Sequence, residues 1–75
     1  MMRITIECGN VKGERIAKHL DRLTDEFRLW TYDGKVYASF EVESFSKLKE
    51  IRRRLKRIKD IELKFVKISK AVCYE

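Results

Sequence analysis

Asp33-Gly34, near the middle of the chain, separates two strand-like runs, Phe27 to Tyr32 and Lys35 to Glu43. An Asp-Gly pair in that setting is a strong signal for a tight hairpin, because both central residues of such a turn take positive φ. The flanks on either side of this hairpin each change period once. Before it, Met2, Ile4, Ile6 and Cys8 alternate with Arg3, Thr5 and Glu7, the pattern of a half-buried strand. Gly9 and Asn10 end that strand, and Asn10 is placed to cap a first helix. Over residues 11–25, Val11, Ile16, Leu20 and Leu23 form one helical stripe with Ala17 beside it. Lys12, Glu14, Lys18, Asp21 and Arg22 take the wet side. After the hairpin, Val36, Ala38, Phe40 and Val42 share one face of a third strand. Ser44 or Ser46 caps a second helix predicted to run to about Lys59, with Leu48, Ile51, Leu55 and Ile58 as its apolar stripe. Ile61 to Ile68 reads as a fourth strand and Ala71 to Tyr74 as a short fifth.

The order is strand, helix, strand, strand, helix, strand. It predicts an α+β fold of the ferredoxin-like βαββαβ type, with an antiparallel sheet and two helices on one face. The other face is left to solvent or a partner. At 75 residues the chain reads as a single domain, 1–75. A domain this small hides only about 60% of the surface its unfolded chain exposes, so a deep active site is not expected. Hydrophobic residues at 44% suffice for a small core. No apolar run approaches the ~18 residues of a membrane span, and the start lacks a signal-peptide pattern. The expectation is a cytoplasmic protein with no membrane partner.

Charge is concentrated rather than spread. Residues 47–59 hold Lys47, Lys49, Arg52, Arg53, Arg54, Lys56, Arg57 and Lys59, opposed by Glu50 alone, so this segment accounts for all of the net charge of +6. One-signed charge gathered in one place is a partner signal. On a helical wheel Lys49, Arg53, Lys56 and Arg57 cluster opposite the apolar stripe. Arg52 and Lys59 flank the stripe on one side, Lys47 and Arg54 on the other. Like charges at i, i+4 repel by a few tenths of a kcal/mol per pair. Three readings stay open for this helix: a surface for nucleic acid or another polyanion, a surface for an acidic protein, or a solvated helix of a heat-adapted protein. The last follows from 40% charged residues with no Gln and a lone Asn. The apolar stripe is narrow and needed by the sheet, which argues against membrane binding.

Alternation also places Arg3, Thr5, Glu7, Arg28, Trp30, Tyr32, Tyr37, Ser39, Glu41, Glu62, Lys64 and Val66 on the sheet face away from the helices. Arg28, Trp30, Tyr32 and Tyr37 would meet on one hairpin. Such a face stacks bases, buries against a second copy as a homodimer, or forms simple cross-strand pairs. The stacking positions of the RNA-recognition motif fall near Thr5 and Ser39, which have no ring.

Cys8 and Cys73 belong to no Cys-x-x-Cys pair, and one His, His19, cannot complete a metal set with them, so no metal is expected. Cys8 falls on the apolar side of its strand and reads as a small core residue, and His19 as a surface residue. A disulfide between the two cysteines requires their strands to be neighbours.

Gly9-Asn10-Val11-Lys12-Gly13 has the Gly-x-Val-x-Gly spacing found after the first strand of acylphosphatases. Leu29-Trp30-Thr31 and Asp33-Gly34-Lys35-Val36 resemble that family's second strand and the turn after it. The resemblance implies a loop of backbone N–H groups, with Arg15 nearby, that cradles a phosphate or other small ligand. The family's catalytic Arg position is Ala17 here, and its Asn has no counterpart. Gly34 to Val42, the second helix and Lys59-Asp60-Ile61 resemble the later elements of ACT domains, which implies regulation by a small ligand. No nucleophile sits with a base in a recognisable motif, no P-loop or dinucleotide fingerprint occurs, and no cofactor is implied. The chain therefore reads as a non-catalytic, self-associating binding module with a basic second helix.

Overall fold

In the computed structural model the described residues are 2–70, with side chains described through residue 67. Among these residues six elements succeed one another: β1 (Met2–Glu7), α1 (Gly13–Leu23), β2 (Phe27–Tyr32), β3 (Lys35–Val42), α2 (Phe45–Leu55) and β4 (Lys64–Lys70). The fold is α+β. The four strands form one antiparallel sheet in the order β2-β3-β1-β4. Asp33 and Gly34 close the β2–β3 hairpin with φ of 53° and 76°, both in the left-handed region. Those two positive values are what a two-residue turn needs to match the strand twist.

The inward side chains of β1 (Met2, Ile4, Ile6) and β3 (Val36, Ala38, Phe40, Val42) meet Ile16, Leu20 and Leu23 of α1 and Leu48, Ile51 and Leu55 of α2 in one core. Both helices therefore cover the same sheet face. Fully burying each large member of that core is worth about 1.5–3 kcal/mol. Cys8, Val11 and Ile58 complete the core from outside the regular elements.

Four expectations are corrected. Asn10 is not the cap of α1. Lys12 occupies that position, and no side chain accepts from the first turn. The buried Val11 anchors the chain to the core and delays the helix start until Gly13. The second helix ends at Leu55 rather than Lys59. Arg57 N–H donates to the Arg54 carbonyl (3.2 Å) and Ile58 N–H to that of Leu55 (3.1 Å), so the chain tightens into i→i+3 turns. Ile58 still reaches the core, because a spacing of three residues suits either winding. Asp60, at φ 66°, turns the chain back toward the sheet.

The fourth strand starts at Lys64, not Ile61. Its partner β1 stops at Glu7, where Gly9 at φ 76° carries the chain away, so residues 61–63 have no strand to pair with. Ile61 and Leu63 pack against the core all the same. Finally, a bulge between Thr5 and Ile6 shifts the register, pairing Ile6 with Phe65 and Thr5 with Lys67. Val66 is the extra residue. Lys67, rather than Val66, shares the open face with Lys64, because directly paired residues point to the same side. The expected fifth strand at Ala71–Tyr74, and with it Cys73, lies outside the described residues.

Candidate nucleic-acid interface

α2 begins at Ser44, whose Oγ accepts from Lys47 N–H (3.3 Å). Its first turn holds no acid and its last turn holds Arg52, Arg53 and Arg54. Cations at the C-terminal end suit the helix dipole, which offsets part of their mutual repulsion. Glu50 forms ion pairs with two of the surrounding cations, Lys47 Nζ at 3.7 Å and Arg54 Nε at 3.8 Å. Arg52 lies over the Phe65 ring, 5.7 Å from its centroid. Lys49, Arg53, Lys56 and Arg57 are exposed and have no carboxylate partner among the described residues. Lys49 and Arg53 project from α2. Lys56 caps its end, and Arg57 lies in the turn just beyond. The shortened helix thus keeps the four cations within one short segment, with the last two carried by tighter backbone.

The open sheet face is a second charged surface. Trp30 and Tyr37 are cross-strand partners whose rings stack with centroids 5.8 Å apart and planes 8° from parallel. Arg28 pairs with Ser39 in the adjacent row, and Tyr32 with Lys35 at the hairpin end. Arg3 donates to Glu41 (3.1 Å), its direct partner across β1–β3. Lys35 Nζ contacts the Glu7 carboxylate at 3.1 Å. The hydrogen bond to Glu7, reinforced by its negative charge, raises the Lys35 pKa above its ordinary value of 10.5. On β4, Lys64 faces Glu7 and Lys67 faces Thr5. Sequence alternation alone could not find Lys67, since nothing in the local pattern announces the bulge.

The Gly9–Gly13 loop is built for packing at its first half. Gly9 is buried, its carbonyl accepts from Val36 N–H (2.9 Å), and Cys8 N–H donates to the Val36 carbonyl (2.7 Å). A Cβ at Gly9 would stand 3.2 Å from Glu62 Cβ, so a carboxylate-bearing residue sits against this turn. Val11 points into the core, while Asn10, Lys12 and Arg15 are exposed and Gly13 is half-buried. Cys8 is fully buried beside it, and burial, with the Glu7 charge, pushes its thiol up to about 11. A thiol so raised stays protonated and unreactive at neutral pH.

At the opposite end, an open cleft of about 1320 Å³ lies between the end of α1 and the start of α2. Asp21, Asp25, Glu26, Glu41, Glu43 and Glu50 line it beside Arg3, Arg22, Arg28 and Lys47. The acidic character of this end was not anticipated from the sequence. No group of three metal-ligating side chains occurs among the described residues, and no helix there is long and apolar enough to cross a membrane. Compared with known proteins, the chain matches no family model and no curated relative.

Proposed function

We propose that the chain is a small non-catalytic binding module of ferredoxin-like architecture that uses α2 and the turn behind it to hold a polyanion, with nucleic acid as the favoured class. The observation that carries this reading is the set Lys49, Arg53, Lys56 and Arg57, exposed within nine residues and unmatched by carboxylates among the described residues. Arg52 and Arg54 stand beside them, held by Phe65 and Glu50. A surface of this kind gains its affinity from counterion release, which makes binding steeply salt-dependent and largely indifferent to base sequence. Self-association belongs to the same proposal. β2 is an outer strand of the described sheet, and an unpaired strand edge is a natural site for a second copy.

The test is a titration of a labelled duplex oligonucleotide, tracked by anisotropy across a series of salt concentrations. Four phosphate contacts predict a slope near −3.6 in log affinity against log salt, about −0.9 per contact. The double substitution Arg53→Glu, Arg57→Glu should weaken the interaction by at least about tenfold at low salt. Absence of binding at low salt, or a slope near zero, would remove this reading. Sedimentation of the free protein reads the self-association separately.

A further inference from the structure

We infer that the open face of the sheet is a platform for single-stranded nucleic acid, with the Trp30–Tyr37 stack as its base-stacking element and Arg28, Lys64 and Lys67 as its phosphate contacts. The inference shares with the α2 reading only the class of ligand. Its residues are different, and they lie on the sheet face that the helices leave uncovered.

The register assembles this surface in two rows. One row runs Trp30, Tyr37, Glu7, Lys64 across the four strands, and the next runs Arg28, Ser39, Thr5, Lys67. The rows are about 7 Å apart, two residues along a strand, and each spans three strand spacings, about 14 Å. In the first row the rings occupy one end and a lysine the other. In the second, Ser39 is buried beneath its neighbours and Thr5 is half-buried, with a cation at either end. Trp30 stays 41% exposed despite its stacking on Tyr37, and Tyr32, two residues further along the same face, is 70% exposed. An exposed ring face accepts any unpaired base, whereas a duplex keeps its base faces covered.

Charge decides between the occupants. Among the described residues the strands bring five cations (Arg3, Arg28, Lys35, Lys64, Lys67) and two carboxylates to this face, and each carboxylate is engaged: Glu41 by Arg3 and Glu7 by Lys35. Arg28, Lys64 and Lys67 have no carboxylate partner among the described residues. A second copy docked face to face about a twofold axis would set this cationic excess against itself. A phosphate backbone neutralises it.

The probe is an end-labelled oligothymidylate of about a dozen nucleotides, long enough for one domain-sized site, compared with a duplex of the same length. Both are titrated into the full chain while anisotropy and Trp30 emission are recorded together. The single strand should quench Trp30 and the duplex should leave it unchanged. Three phosphate contacts predict a salt slope near −2 for the single strand. Trp30→Ala should weaken single-strand binding at least about tenfold. Lys67→Glu, which keeps the ring and alters an exposed side chain, should weaken it in the same direction and guards against a folding artefact. Arg53→Glu with Arg57→Glu should leave the quenching in place. Single-strand binding that leaves Trp30 emission unchanged, or full affinity in both sheet-face variants, would overturn the platform and leave the α2 reading standing. Trp30 emission that shifts with protein concentration and is then no longer quenched by the single strand would overturn it in favour of a second copy on this face. Quenching that survives loss of duplex binding would support the platform without α2.

Discussion

α2 and the turn behind it carry their cations on one stretch of chain, residues 47–59, with Glu50 as the opposing charge. The open sheet face draws its charges from four strands, from Arg3 to Lys67, and sets carboxylates among the cations in register. The first surface is dense, self-repelling and shaped by local helix geometry. The second has a smaller excess of charge but arranges it around a ring stack. Dense charge attracts any polyanion and is screened by salt. Charge arranged around rings adds a requirement for unpaired bases. On the proposed readings the two regions would make different demands on a ligand, even though one core supports both.

That shared core gives the largest expected effect. Leu55 is fully buried at the end of α2, and Leu55→Ala should cost about 2–5 kcal/mol. Chemical unfolding monitored by Trp30 fluorescence and by far-ultraviolet circular dichroism should give coincident transitions before and after the change. Separate transitions would mean that helix layer and hairpin are stable independently, and the comparison would become one between two folding units.

Next in size, Arg53→Glu with Arg57→Glu should lower duplex affinity by at least about tenfold at low salt, since two phosphate contacts are lost and two repulsions added. Thermal stability should stay nearly constant, because both side chains are exposed. A large fall in melting temperature would show that these arginines serve the fold.

Gly34→Ala acts on the other region. Gly34 has φ of 76° with open space around it, so only backbone strain opposes the change. It should destabilise by about 1–2 kcal/mol, seen as a melting temperature lower by several degrees. A neutral result would show that the hairpin can adopt another turn.

The smallest effects are alkaline. The Cys8 thiol is raised from 9.0 to about 11 in the fold, so the unfolded chain ionises first. Its contribution to stability is complete below pH 9 and declines as pH rises toward 11. Cys8→Ala should flatten that part of the pH–stability curve. Lys35 is likewise raised, by its bond to Glu7. That contribution is present below pH 10.5 and disappears as Lys35 loses its proton above it. Glu7→Gln should therefore narrow its stability gap from the parent chain only at strongly alkaline pH. A gap unchanged with pH would assign the pair no electrostatic role.

Much of the core could be read directly. The alternation of Met2, Ile4 and Ile6, the stripe of Ile16, Leu20 and Leu23, and the stripe from Leu48 to Ile58 all end buried. Each is a repeat with a period that only one element can satisfy. Lys49 and Arg53 fall on α2 as helical spacing implied, whereas Lys56 and Arg57 lie past its end at Leu55, where that spacing no longer applies. Boundaries were less legible. Ile58 fits an α turn and a tighter turn equally, so the end of α2 depended on where the chain had to reverse at Asp60. The start of β4 depended on the length of β1, at the other end of the chain.

By itself the sequence determined the kinds of element, their order, their inward faces and the cationic segment, since propensity, period and turn chemistry act over a few residues. Tertiary structure decided which strands neighbour one another, the bulge that brings Lys67 to the open face, the engagement of Glu7 by Lys35, and the acidic cleft at the far end. Those features need residues distant in the chain to meet. Their placement comes from burying one apolar face against two helices while pairing the backbone across the sheet.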